Sequence, residues 1–274
     1  MTFNQMAKEI AQREEELKTL DRLKSEFVSS VSHELRTPLT TIKTLTRVLQ
    51  SDKISKDERA EFLETIAVEC DRQIDFVQTL LDLSRIESGA YKILLAPTDV
   101  VKVLCQSIEA QMKTAAARRL NLKSAPPNEF PLALTDAGAL RRIASSLIEN
   151  AMKYTPEGGE ITVSAVQKGE RIAVEIADTG CGIRAEDVPR IFEKFYRGRP
   201  LAAKTAPTDG NLFEETECEA AGETAGIGLG LYLVHNLVEQ LGGEIIAESP
   251  VKRQRGGSKF TVFLPVSASY EADN

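Results

Sequence analysis

The first candidate for chemistry is His33, set in Ser32-His33-Glu34-Leu35-Arg36-Thr37-Pro38-Leu39. An imidazole can attack phosphorus when one ring nitrogen is free. The adjacent Glu34 could hold the proton on the other nitrogen, fixing the tautomer and raising nucleophilicity. Thr37 falls one helical turn later on the same face, where its hydroxyl could position a water for the reverse, hydrolytic step. Pro38 lacks an N–H and crowds the carbonyl of Glu34, at about 3 kcal/mol in a helix interior, so a kink is expected one turn after His33. A lone histidine on a charged helix would be a solvated side chain; its neighbours give this one a role.

A second constellation could touch a nucleotide. Asn150, Lys153 and Tyr154 stand together at the end of a helical run, directly before Thr155-Pro156. An amide oxygen suits a hard Mg2+ ion, an ammonium pairs with phosphate, and a phenol ring lies flat against a base. In Asp178-Thr179-Gly180-Cys181-Gly182-Ile183, which ends an apolar alternation, a carboxylate can accept the exocyclic amine of adenine, and Gly180 and Gly182 permit close backbone approach. Gly226-Ile227-Gly228-Leu229-Gly230-Leu231 opens another helical run, so its amides and the helix N-terminus could cradle phosphate oxygens. A dinucleotide-binding fingerprint would need an apolar strand immediately before those glycines, and residues 215–224 are acidic and polar.

The elements that must position these groups follow from periodicity. Between Phe3 and Leu49 there is one proline and no glycine, and Met6, Ile10, Leu17, Leu20, Leu23, Phe27, Val31 and Leu35 recur near heptad spacing, which predicts one long helix. Phe62, Ile66, Cys70, Ile74, Val77 and Leu81 mark a second, ending at Ser88-Gly89. Each helix has a single apolar stripe, and two such helices cannot enclose a core. A homodimeric four-helix bundle is the expectation, with a monomeric hairpin packed on the next domain as the alternative.

Beyond residue 96 the texture changes. Residues 98–119 and 137–153 read as helices and 121–124 as extended. Residues 160–167 and 171–177 read as a hairpin about Lys168-Gly169, and 244–248 and 259–264 as two more strands. Helices on one mainly antiparallel sheet are expected, in an α+β chain. Residues 197–225 collect Pro, Gly, Thr and the acidic group Glu214, Glu215, Glu217 and Glu219, and read as a mobile, structureless loop.

Composition narrows the partners. The formal net charge of -7 argues against a nucleic-acid surface, which needs clustered Lys and Arg. The four cysteines form no CxxC pair and suit neither a disulfide framework nor a zinc site. No apolar run approaches the ~18 residues of a membrane span. The chain as given is expected to be a soluble, cytoplasmic segment without direct membrane contact.

The segment around His33 closely resembles the phosphoacceptor box of the sensor histidine kinases of two-component systems. Asn150 to Tyr154, Asp178 to Ile183, residues 191–197 (Ile-Phe-Glu-Lys-Phe-Tyr-Arg) and Gly226 to Leu231 resemble, in order, the N, G1, F and G2 boxes of the ATPase domain of that family, and residues 257–265 resemble its closing strand. The resemblance implies a dimeric four-helix bundle followed by an α/β sandwich of the histidine-kinase, gyrase and chaperone ATPase type. Residues 1–22 would be a linker helix, 23–92 the dimerisation and phosphotransfer domain, 96–268 the ATP-binding domain with a lid over 197–225, and 269–274 a tail.

It further implies ATP and Mg2+ as cofactors, His33 as the phosphorylated residue, Glu34 as its assisting base and Thr37 in a phosphatase step. Asp178 would recognise adenine, Asn150 hold magnesium, Lys153 and Arg197 face phosphates, and Gly226 to Gly230 hinge the lid. Thr261 is expected with them at the nucleotide. The implied partner is the receiver domain of a response regulator. The start, Phe3 to Met6, resembles the exit helix of a HAMP linker, which implies a membrane-anchored parent. Two departures stand out: Ser146 replaces a frequent additional Asn, and the lid is long and acidic. The rivals are an ATP-driven clamp of the gyrase or chaperone kind and a phosphatase-biased regulator. His235 lacks the neighbours of His33 and reads as structural, and Cys181 as a small apolar filler.

Overall fold

The computed structural model describes residues 3–51, 54–125, 130–198, 203–204, 215–216, 228–251 and 256–267. It divides into two compact units, residues 1–81 and 82–274.

The first unit holds α1 (Phe3–Leu49) and most of α2 (Lys56–Glu87). α1 remains helical through Pro38. Ser32, Thr37, Thr40, Thr41 and Thr46 each turn their hydroxyl back to the carbonyl four residues earlier, a bond that spends the side chain's donor inside the helix. At the start of α2, Ser55 and Glu58 cap each other reciprocally: the Ser55 N–H donates to the Glu58 carboxylate at 2.9 Å, and the Glu58 N–H donates to the Ser55 hydroxyl at 3.2 Å. Gly89, with φ of 69°, ends the segment after α2 as its sequence implies. Val28 and Leu39 on α1, and Leu63, Ile74, Val77 and Leu81 on α2, are exposed apolar side chains at helical spacing.

In the second unit, β1 (Ala96–Thr98) leads into α3 (Val100–Ala117) and β2 (Asn121–Ala125). β3 (Ala133–Thr135) precedes α4 (Ala137–Tyr154), and β4 (Glu160–Lys168) and β5 (Arg171–Asp178) form the expected hairpin. The short β6 (Ala203–Lys204) and β7 (Glu215–Thr216) pair antiparallel, an ordered ladder inside the segment read as structureless; the rest of that segment beyond Gly198 lies outside the described residues. α5 (Gly230–Gln240), β8 (Glu244–Glu248) and β9 (Lys259–Pro265) complete the unit.

The main sheet has the order β2-β4-β5-β9-β8, antiparallel except for the parallel pair β2-β4. That pair forms because β3 and α4 lie between the two strands in the chain, and a parallel partner needs such a crossover. Ile161 and Val163 on β4, Ile172, Val174 and Ile176 on β5, and Phe260, Val262 and Leu264 on β9 share one buried face. Against it, α4 buries Leu140, Ile143, Ala144, Leu147, Ile148 and Ala151, a stripe at i, i+3, i+4, i+7, i+8 and i+11. α4 packs between α3 and α5. Its N-terminus is capped by Asp136, whose carboxylate accepts the N–H groups of Gly138 and Ala139.

The boundary between the two compact units falls within α2. Leu83 and Ile86 are buried with the second unit, and Asp82 lies 3.4 Å from the Arg142 guanidinium on α4.

Candidate functional site

β5 ends at Asp178 with the carboxylate on the helix-covered face of the sheet, because it shares strand parity with buried Ile172, Val174 and Ile176. It is only 3% exposed. One oxygen accepts the N–H groups of Gly180 at 2.8 Å and Ser258 at 3.2 Å, and the other accepts the Ser258 hydroxyl. Burial pushes the carboxyl above its ordinary range, while the Ser258 and Gly180 donors pull it back. A carboxylate has about four acceptor positions, so three internal bonds leave room for one further donor.

The loop after Asp178 is tied to the end of α4. The Cys181 N–H donates to the Tyr154 carbonyl at 3.1 Å, and a Cβ on Gly180 would sit 2.2 Å from that same carbonyl oxygen. The sequence places Asp178 and Tyr154 in separate motifs; this contact makes them one site. Ser249 fastens the other side: the Ile183 N–H donates to its hydroxyl at 2.7 Å, and that hydroxyl donates to the Gly257 carbonyl at 2.9 Å. Gly182 sits at φ of 73° beside Ser249, a backbone that favours glycine. Cys181 is buried and disulfide-bonded, and so is not the free apolar filler its sequence context suggests.

On the last turn of α4, Asn150, Lys153 and Tyr154 are half-buried. The Lys153 ammonium lies 5.3 Å from the centre of the Tyr154 ring. Burial raises the Tyr154 phenol, and Arg197 is close enough to oppose that rise. Arg197, itself exposed, is thus brought to the α4 end from a different segment.

Gly228 closes the group. Its carbonyl accepts the Phe195 N–H at 3.2 Å, its φ is 75°, and a Cβ there would sit 2.5 Å from the Tyr196 carbonyl. Leu229 is buried, Leu231 half-buried, and a Cβ on Gly230 would sit 3.2 Å from the Ser146 hydroxyl. The small Ser146 therefore borders the start of α5. Gly226 and Ile227 lie outside the described residues.

One expected residue is not brought in. Thr261 pairs with Glu175, three residues before Asp178, so it occupies the opposite face of the sheet. Ser258 takes its place at the carboxylate. In the first unit, His33 and Thr37 are exposed and Glu34 is half-buried, and the Thr37 hydroxyl lies 3.3 Å from the His33 carbonyl. His235 stacks at 5.5 Å on Phe192 and lies 3.7 Å from Glu239, in keeping with a structural role.

Residues 23–89 match the family described as His Kinase A (phospho-acceptor) domain, and residues 135–268 match the family described as histidine kinase-, DNA gyrase B-, and HSP90-like ATPase. The chain belongs to the sensor histidine kinases. Among curated relatives of this kinase, the alginate biosynthesis sensor protein KinB of Pseudomonas aeruginosa is 30% identical over 92% of the chain and 38% of its own length. The sensor histidine kinase YclK of Bacillus subtilis is 28% identical over 98% of the chain and 52% of its own length. Among solved structures, full-length ShkA in complex with AMPPNP superposes with a TM-score of 0.58 at 26% identity, covering 87% of this chain and 46% of that one. The kinase chain thus spans about half or less of these proteins. Among its described residues, no helix is long and apolar enough to cross a membrane.

Proposed function

We propose that this chain binds ATP with Mg2+ at Asp178 and transfers the γ-phosphoryl group to His33, which then passes it to an aspartate on a response-regulator receiver domain. The observation that carries the first half is the buried Asp178 carboxylate with one acceptor position left over. An acceptor-only group rewards an exocyclic amine and repels a carbonyl oxygen, which favours adenine over guanine. The AMPPNP complex of the 26% identical ShkA supports the same ligand class.

Magnesium suits the residues present. The Asn150 side chain is half-buried and makes no hydrogen bond to another described residue, leaving its carbonyl oxygen for a hard cation. The ion would neutralise charge between the phosphates. Lys153 and Arg197 supply cations at the same end of α4, and Tyr154 supplies a ring for the base. Gly226 to Gly230 would hinge the lid over residues 197–225.

In the transfer, a ring nitrogen of His33 forms an N–P bond as the bond from the γ-phosphorus to the bridging oxygen breaks, and ADP leaves. Glu34, next in sequence, holds the proton on the other ring nitrogen. Positioning and charge stabilisation dominate such a reaction. Thr37 orients water for the phosphatase step. In this reading residues 1–22 are a linker helix, 23–92 form the dimerisation and phosphotransfer part and 96–268 the nucleotide part. The exposed apolar residues of α1 and α2 support a homodimer through the hairpin. A membrane-anchored sensor would carry this cytoplasmic core. The phospho-acceptor match counts against a clamp that only hydrolyses ATP.

The test is incubation with γ-labelled ATP and Mg2+ beside His33→Gln and Asn150→Ala. Acid-labile, alkali-stable label in the parent alone is expected. A parent that binds ATP yet stays unlabelled would sink the kinase reading.

A further inference from the structure

Glu87, the last residue of α2, is paired with the Lys194 ammonium, although the two are far apart in sequence. That ammonium also lies 5.1 Å from the centre of the Phe195 ring and 5.9 Å from that of Tyr232 on the first turn of α5. It therefore has a carboxylate and two aromatic rings about it, which is a strongly directional setting for one cation.

What Lys194 holds matters for the nucleotide site. The next residue, Phe195, sits at φ of 66°, a costly backbone for an aromatic residue, and donates its N–H to Gly228. Tyr196 follows, with its carbonyl against Gly228 and its hydroxyl donating at 2.6 Å to Asp187. Arg197 comes next. A strained backbone persists only where its surroundings over-determine it, and Lys194 is anchored on one side of this strain as the Tyr196–Asp187 bond is on the other.

We infer that Lys194 is a positioning residue for the nucleotide: held by Glu87 at the end of α2, it fixes Phe195 to Arg197 against Gly228, so the last turn of the hairpin sets the affinity of the ATP site. This rests on the proposed ATP site. It also makes the coupling reciprocal, since whatever α2 does to nucleotide affinity the nucleotide does to the seating of Glu87.

The test uses the full chain and the charge reversals Glu87→Lys and Lys194→Glu, singly and together, with Glu175→Gln as a control that removes a surface ion pair to Lys168. A fluorescent ATP analogue gives Kd directly, and His33 labelling gives KM and kcat. Each single reversal is expected to weaken nucleotide binding about three- to fivefold, the range of a partly exposed ion pair. KM should rise with it and kcat should stay within about twofold. The double reversal should restore affinity, and Glu175→Gln should bind like the parent. Singles that bind like the parent, or a double no better than the singles, would overturn the inference. So would a loss confined to Lys194→Glu, because the lysine would then be meeting phosphate itself. If the parent binds the analogue but never labels His33, the kinase reading fails while the binding comparison still decides the role of Lys194.

Discussion

Ser258 gives both its hydroxyl and its backbone N–H to the carboxylate of Asp178, across the start of β9. Removing the hydroxyl by Ser258→Ala takes away the largest influence that opposes burial, so the Asp178 carboxyl should rise further. ATP affinity is expected to fall about tenfold at neutral pH, the worth of a hydrogen bond to a charged group. Isothermal titration across pH 5 to 8 would show it; equal affinity of parent and variant at every pH would refute the assignment.

Asp178→Asn should separate stability from binding. A carboxyl whose folded pKa is raised contributes stability that is full below the unfolded pKa and is lost as pH rises through the folded pKa. At neutral pH the parent therefore bears the desolvation of an ionised group that an amide avoids. The apo variant is expected to melt no lower than the parent at pH 7. That relative advantage should shrink as pH falls toward the carboxylate range, while nucleotide binding drops about 100-fold. A variant that melts well below the parent at pH 7 would contradict the sign.

Gly180→Ala places a Cβ 2.2 Å from the Tyr154 carbonyl oxygen. Overpacking against backbone is expected to cost about 2 kcal/mol in urea unfolding of the second unit and to weaken nucleotide binding as well. Gly169→Ala, where a Cβ meets nothing within 4 Å but φ is 64°, should cost only the backbone strain, about 1 kcal/mol, and leave binding intact.

Thr37→Ala should spare labelling of His33 and slow loss of phosphate from the phosphorylated regulator by about tenfold or more. The Thr37 hydroxyl is exposed and, among the described residues, hydrogen-bonds only the helix's own His33 carbonyl, so circular dichroism should show α1 unaffected. Equal slowing of both reactions would instead place Thr37 in the forward transfer.

Ile74→Glu with Val77→Glu should shift the chain from dimer to monomer in sedimentation at micromolar concentration. Ile74 is 65% and Val77 44% exposed on a single chain, and burying two such side chains is worth roughly 1.5 to 3 kcal/mol each. A parent that sediments as a monomer would refute the bundle.

The helices and the His33 segment are legible in sequence because their signals are local: heptad spacing, one proline and a carboxylate beside a histidine fall within a few turns. The β4–β5 hairpin is legible for the same reason, through Gly169. Ser258 and Ser249 are not, since they meet Asp178 and Ile183 only after β5 and β9 pair across a long stretch of chain. The misplacement of Thr261 shows how register decides a site: Ala177 pairs with Lys259, so the partner of Asp178 is one residue earlier, and three residues later the side chain faces the other way. The boundary inside α2 is hidden because Leu83 and Ile86 continue the helical period of Ile74, Val77 and Leu81. The parallel β2–β4 pair escapes because a strand's direction in a sheet is set by the crossover that precedes it.

The hydrogen bond from the Phe195 N–H to the Gly228 carbonyl has a consequence for how this kinase could diverge. It holds together the two ends of the chain between Phe195 and Gly228, so that stretch is, to the sheet, a loop closed at its base. The entropy of closing a loop grows only with the logarithm of its length, about 0.6 kcal/mol for each doubling. Chain can be added to or removed from the acidic stretch after Gly198 at almost no expense to the sheet that carries Asp178. The length of that stretch is therefore a trait that evolution can tune nearly independently of the stability of the domain.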